Sequence, residues 1–194
     1  MRTLATLIAL AATPAIACPT ADDLATGIRV TEPDDLQSIF KSVGPDLVEV
    51  TIEFDVNDVS RNQLVHGVYI RRLSSIYEGS LDFESVWLTD YSQDIASLPL
   101  PVPGLEQSFK TTIYSFTESY PETQAQSWGP LEEVTYGDCT TPVINGTIVY
   151  DNKYGPVTET IAYLPDMGIG LLTSYADGDE EPEIYEIVQI EAVE

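Results

Sequence analysis

Residues 47–55 read Leu-Val-Glu-Val-Thr-Ile-Glu-Phe-Asp. Val48, Val50, Ile52 and Phe54 fall on one face of an extended chain, and Glu49, Thr51 and Glu53 on the other. Strand side chains alternate between faces, so this run predicts a strand with one side buried and one in water. One-sided burial points to antiparallel pairing, because parallel sheets are covered on both faces and read as unbroken apolar runs.

The same period continues outward from this segment. Residues 64–72 place Leu64, Val68 and Ile70 on one face and read as a single strand running through His66. Residues 109–116 are rich in Thr and aromatics, as strands are. Residues 143–150, 157–164, 169–175 and 184–190 follow at short, fairly even spacing, which suits a meander, sandwich or barrel. The expected fold is all-β, a single antiparallel meander forming an open barrel or sandwich with little helix. Residues 35–42 fit either one or two helical turns or a strand.

Turn chemistry separates the runs. Residues 151–155 (Asp-Asn-Lys-Tyr-Gly) read as a loop of about five residues between two strands. Residues 165–168 (Pro-Asp-Met-Gly) read as a tight reversal, and residues 177–182 as an acidic loop before the last strand. Asn145-Gly146 fits a hairpin turn or a bulge. Pro99, Pro101 and Pro103 recur at every second position of residues 97–104, which bars that segment from a central strand. It is either an edge crossing or a rigid link between two halves of the sheet.

The chain has 194 residues, 43% of them hydrophobic, which is enough for one domain with its own core. Its 32 acidic and 8 basic residues give a formal net charge of −24. Phosphate recognition needs clustered Lys and Arg, so nucleic acid is excluded as a partner, and an anionic bilayer surface would repel the chain. The charge accounts for solubility; its sharper implication is a cation or a basic partner.

Residues 1–17 carry Arg2, an apolar stretch over 4–12, the breaker Pro14 and an Ala15-Ile16-Ala17 cleavage motif, the pattern of a secretory signal. No later run is long and apolar enough to span a bilayer as a helix, so no integral membrane protein is expected. The expected organisation is a leader over 1–17 and one β-rich domain over 18–194, periplasmic or secreted.

Cys18 follows the cleavage motif, which leaves two possibilities. One is a lipid anchor on Cys18, although lipoprotein signals usually place Leu, Val or Ile three before the Cys and Ala or Ser two before it, where Ala15 and Ile16 stand here. The favoured one is a Cys18–Cys139 disulfide, because the cysteine count is two in an exported chain. It would close a loop of about 120 residues, worth roughly 4–5 kcal/mol in the chain-entropy model.

Little in the sequence suits reaction chemistry. His66 is the only histidine, and a Ser-His-Asp or Cys-His device would have to use it. Its expected strand position reads as packing instead. One His and two paired Cys do not fill a zinc site. The acid doublets Asp22-Asp23, Asp34-Asp35, Glu132-Glu133 and Glu180-Glu181 point to opposite faces of a strand, so none is a catalytic pair by itself. No metal or cofactor is expected; the calcium candidates are Asp177 and Asp179, with residues 55–58 as a second oxygen-rich loop, and neither fits an EF-hand.

Aromatic residues stand out more. Phe83, Trp87 and Tyr91 share one face of an expected strand, with Val86 and Leu88 on the other, and Tyr114 and Phe116 form a second pair. Such stripes serve cross-strand packing, or they line an apolar or sugar-binding concavity.

Residues 163–172 (YLPDMGIGLL) resemble the aromatic–x–Pro–x–x–Gly–hydrophobic turn-and-strand of exported LolA/LolB-like open barrels. That resemblance implies an antiparallel strand over a hydrophobic concavity for acyl chains. Residues 18–30 (CPTADDLATGIRV), the Gly137-Asp138-Cys139 step and the same turn resemble exported β-rich proteins of marine alphaproteobacteria, which implies export and no particular activity.

Three functions are expected, in this order. A non-catalytic binding or carrier module of the cell envelope, for a small apolar or saccharide ligand, predicts an internal pocket lined by Trp87, Tyr114 and Phe116. A structural or assembly partner of another envelope protein predicts a flat apolar patch and no pocket. A carboxylate-based hydrolase predicts two acids facing one cleft, at least one of them with its pKa raised by desolvation.

Overall fold

A computed structural model describes residues 18–193, so the expected leader over 1–17 lies outside the described residues. The described residues form one antiparallel sheet of thirteen strands. They are β1 (Ile28–Thr31), β2 (Gln37–Gly44), β3 (Leu47–Asp55), β4 (Asp58–Val65), β5 (Tyr69–Tyr77), β6 (Ser80–Tyr91) and β7 (Glu106–Tyr114). There follow β8 (Ser119–Tyr136), β9 (Cys139–Asn152), β10 (Gly155–Leu164), β11 (Ile169–Asp177), β12 (Glu183–Ile184) and β13 (Gln189–Ala192). Among the described residues helix is confined to short 3-10 turns at Ala21–Ala25, Pro33–Asp35 and Ile95–Ser97.

Strands β1 to β12 pair in chain order, and only β13 breaks the sequence by returning to the free side of β1. That return decides the shape. Laid flat at about 4.8 Å per strand, thirteen strands would put the outer two nearly 60 Å apart. Residues 185–188 join β12 to β13 and reach roughly 19 Å at most. The sheet therefore curls until its two edges are within reach of that strap. Tyr185 N–H donates to Thr173 O on β11 at 3.0 Å, and Val188 N–H to Thr31 O on β1 at 2.9 Å. The edges are tied but not paired with each other, so the sheet is an open one, not a closed barrel.

Curling brings the first strands over the last. One apolar cluster joins Ile28, Val30, Phe40 and Val50 to Val143, Leu164, Ile169 and Leu171. A second joins Val65, Tyr69 and Tyr91 to Trp128, Ile148, Ile161 and Tyr163. The Cys18–Cys139 disulfide, with a Cα–Cα distance of 4.9 Å, fixes the segment before β1 to the start of β9.

Several local expectations change. Residues 64–72 are two strands, not one, because His66 and Gly67 turn the chain with φ of 52° and 70°. Val68 N–H closes that turn on Val65 O at 3.1 Å, and positive φ at both central residues suits the right-handed twist of a hairpin. Gly67 is also required by contact, since a Cβ there would lie 2.2 Å from Gly168 O. Residues 35–42 resolve as a 3-10 turn followed by β2. The loop over 151–155 shrinks to Lys153-Tyr154, because Asn152 already pairs with Gly155. Residues 184–190 are split between β12 and β13 by the strap. Asn145-Gly146 lies within β9; the irregularity is on the facing strand β8, between Trp128 and Leu131, at Gly129-Pro130. The proline-rich segment is the link from β6 to β7, with Leu98 buried and Pro99 O accepting from the Tyr69 hydroxyl.

Candidate functional site

Two cavities lie inside the curl. The first, about 370 Å³, is apolar and sits between β1–β5 and β10–β11, with walls that include Val30, Phe40, Val50, Ile52, Leu64 and Leu171. Ser38 opens room in this wall: it is buried and pairs with Val30 on one side and Ile52 on the other, where larger apolar side chains would fill the space. Ile187, from the strap, and Tyr185 line the same cavity. Glu32 also lines it, and burial raises its carboxyl above the usual range.

The second cavity, about 390 Å³, is lined by Trp87, Tyr120, Tyr150, Tyr154 and Tyr175 together with Glu122, Glu159 and Asp177. Ile70, Leu73 and Glu159 line both cavities, so the two adjoin at these residues.

Strand β8 supplies the polar wall. Tyr120, Glu122, Gln124, Gln126 and Trp128 alternate with exposed neighbours and all point inward. Most of these buried polar groups bond one another, as low-dielectric surroundings require, while Gln126 Nε2 is left without a partner. Glu122 Oε1 accepts from Gln124 Nε2 at 3.0 Å and Oε2 from Asn152 Nδ2 at 2.9 Å. Gln126 Oε1 accepts from Gln107 Nε2 at 3.1 Å and from Trp128 Nε1 at 3.3 Å. Gln107 Nε2 also donates to the Tyr69 hydroxyl at 2.8 Å. Burial pushes the Tyr69 phenol up to about 12.

Glu159 on β10 accepts from the Tyr150 hydroxyl at 2.8 Å through Oε2. Burial raises its carboxyl pKa, the Tyr150 hydrogen bond opposes this, and the charge of Glu122 adds to the rise. The Tyr150 phenol is driven well above its usual value, first by burial and then by the charge of Glu159.

The mouth is aromatic. Trp87 and Tyr120 meet edge to face at 6.3 Å, and Tyr120 and Tyr154 at 5.4 Å. Lys153 Nζ sits 5.0 Å from the Tyr120 ring centre and 4.7 Å from that of Tyr154. Glu118 pairs with Lys153 and accepts from the Tyr154 hydroxyl; these bonds hold the Glu118 carboxyl below its usual range.

Of the aromatics singled out in the sequence, only Trp87 lines a cavity. Tyr114 is exposed on the outer face of β7, because the inward phase of that strand belongs to Thr111 and Ile113. Phe116 lies exposed in the turn after β7. Tyr91 is buried beneath the cavity floor, donating to Ile70 O at 3.1 Å, and Phe83 is cut off from Trp87 by an irregularity in the β5–β6 pairing. His66 lies in its turn with Nδ1 3.8 Å from Asp46 Oδ1 and lines neither cavity. Asp177 lines the aromatic cavity, while Asp179 is exposed in the following turn. Among the described residues no three His, Cys, Asp or Glu groups come within reach of a shared metal ion.

Sequence reasoning missed Glu122, Gln124, Asn152 and Glu159. A signal was present: in residues 120–128 the aromatic ends Tyr120 and Trp128 share the phase of Glu122, Gln124 and Gln126, whereas the opposite phase is Pro, Thr, Ala and Ser. No family model matches this chain, no curated protein matches it, and no solved structure matches it.

Proposed function

We propose that this chain is a non-catalytic binding or carrier module of the cell envelope, taking a small ligand with an apolar part into the interior of the curled sheet. The observation that carries the reading is the apolar cavity of about 370 Å³, adjoined by a second cavity with polar groups in fixed positions. Cavities of this size and lining, mostly apolar with a few oriented polar groups, suit small-molecule sites. The disulfide fits an oxidising compartment, and no described helix is long and apolar enough to cross a membrane. A role as a purely structural partner is the less supported reading, because it calls for a flat surface and no interior space.

Native mass spectrometry of the protein purified from the periplasm tests the proposal. A co-purifying small molecule that dissociates on activation is the expected result. An empty protein that also fails to take up any apolar probe overturns it.

One observation favours a second reading, a carboxylate-based hydrolase: Glu122 and Glu159 line one cavity, and Glu159 has the raised pKa of a general acid. Against it, both Glu122 oxygens already accept from amide donors, Gln124 and Asn152, so the carboxylate is tied into the wall of the cavity. Hydrolysis of a glycoside or ester panel that disappears in both Glu122→Gln and Glu159→Gln would establish it.

A further inference from the structure

We propose that the ligand carries an organic ammonium head, primary or secondary, seated in the aromatic cavity with its apolar part in the adjoining one. The proposal rests on the binding reading above and names the chemistry of what is bound.

The charge pattern comes first. Glu122, Glu159 and Asp177 line the aromatic cavity, and no Lys, Arg or His lines either cavity. An anionic head would meet these acids with no basic side chain in the wall to pair with. The acids are dispersed, and no three of the described acids converge to metal-binding distance. Dispersed carboxylates between aromatic walls match a larger organic cation.

Hydrogen-bond valence points the same way. The donors beside the two glutamates are committed, Gln124 Nε2 and Asn152 Nδ2 to Glu122 and the Tyr150 hydroxyl to Glu159, whereas Gln126 Nε2 has no partner but lines neither cavity. At the junction of the two cavities the open valence is an acceptor. Glu159 Oε1, at the junction of the two cavities, accepts from no described residue, although the side chain is only partly exposed. A ligand that answers this site must donate, and an ammonium N–H does so with charge assistance.

The rings supply a third observation. The chain's own ammonium, Lys153 Nζ, rests against Tyr120 and Tyr154, which both line the aromatic cavity. These rings already attract a cation through the ring quadrupole, on the faces that Lys153 covers. Lys153 is neutralised by its pairing with Glu118 and is not part of the cavity wall, so it leaves the interior negative.

Titration calorimetry of the processed, oxidised protein with decylamine, decanol and decanoate tests the assignment. A salt concentration near 0.3 M suppresses non-specific attraction to the acidic surface. Decylamine, charged at neutral pH, is expected to bind at least tenfold more tightly than decanol, and decanoate more weakly than either. Glu159→Gln is expected to cut the preference for the amine over decanol to threefold or less, and a cooperative thermal melt with the parent's circular dichroism spectrum shows that the variant is folded. Equal affinity for amine and alcohol, or a preference that survives in Glu159→Gln, overturns the ammonium head and leaves the carrier reading standing. Failure of all three probes to bind overturns both.

Discussion

The Tyr150 hydroxyl reaches diagonally across the β9–β10 pair to Glu159 Oε2 at 2.8 Å, at the point where the two cavities adjoin. Tyr150 pairs directly with Val157, so the contact with Glu159, two residues further along the same inward face, is a cross-strand diagonal within reach of a long aromatic side chain. A carboxyl in this position loses most of its hydration and gains one hydrogen bond. Its pKa is accordingly raised.

The pH dependence of stability follows from that rise. In the unfolded chain Glu159 releases its proton near the ordinary value of 4.5, while the folded state holds it to higher pH. The folded state then binds more protons over this interval, so stability falls as pH climbs through it. The contribution is complete below pH 4.5 and is lost above the folded pKa. Glu159→Gln keeps an acceptor for Tyr150 and cannot ionise. Its melting temperature should exceed that of the parent near pH 7, and the gap should close toward pH 4. A gap of constant size across thermal melts at several pH values would contradict this.

The disulfide joins residues 121 apart and pins the segment before β1 to the β8–β9 hairpin. Closing so long a loop restricts the unfolded chain more than the folded one. Replacing Cys18 and Cys139 together by Ser should lower unfolding free energy by about 2–5 kcal/mol. Urea titration of the variant beside the oxidised parent measures the difference. A loss under about 1 kcal/mol would mean that the denatured chain is already constrained by other contacts.

Gly146 lies under the Trp128 indole. A Cβ at this position would stand 2.2 Å from Trp128 Cε3. The ring is 3% exposed, so it has nowhere to move without displacing Tyr163, whose ring meets it edge to face at 6.2 Å. Gly146→Ala should cost about 1–3 kcal/mol through overpacking and shift tryptophan emission to the red as the indole becomes hydrated. Unchanged emission and stability would show that the strand gives way at no cost.

How far the sequence could be read follows from what each residue answers to. Val48 and Val50 alternate with hydrated neighbours, and hydration is a local preference, so the antiparallel sheet was legible from 47–55 outward. The turn at His66-Gly67 was not legible because the need for glycine at 67 comes from its close approach to Gly168, 101 positions away in the chain. Tyr114 and Phe116 were misplaced because aromatic character does not say which face of β7 is inward; Ile113 took it. The inward run from Glu122 to Gln126 was passed over for the opposite reason. Polar side chains were assigned to water, whereas here Gln107, Asn152 and Tyr150 complete their hydrogen bonds or those of their neighbours from strands brought close by the curl. The existence of an interior was expected; its chemistry required the partners.

Ser38 offers a direct way to close that interior. It is a small side chain, 5% exposed, set between Val30 and Ile52 in the wall of the apolar cavity. Leucine at this position would project into space that a ligand tail is proposed to occupy, and would bury apolar surface in doing so. Filling a pre-existing void stabilises a fold where it introduces no clash. Ser38→Leu should therefore melt at the same temperature as the parent or higher, and bind decanol at least about tenfold more weakly, a difference of about 1.4 kcal/mol. Both are read from one set of melts and titrations. Undiminished binding by a variant of normal stability would mean that the tail lies elsewhere, and the apolar cavity would then be a packing defect of the curled sheet with no part in recognition.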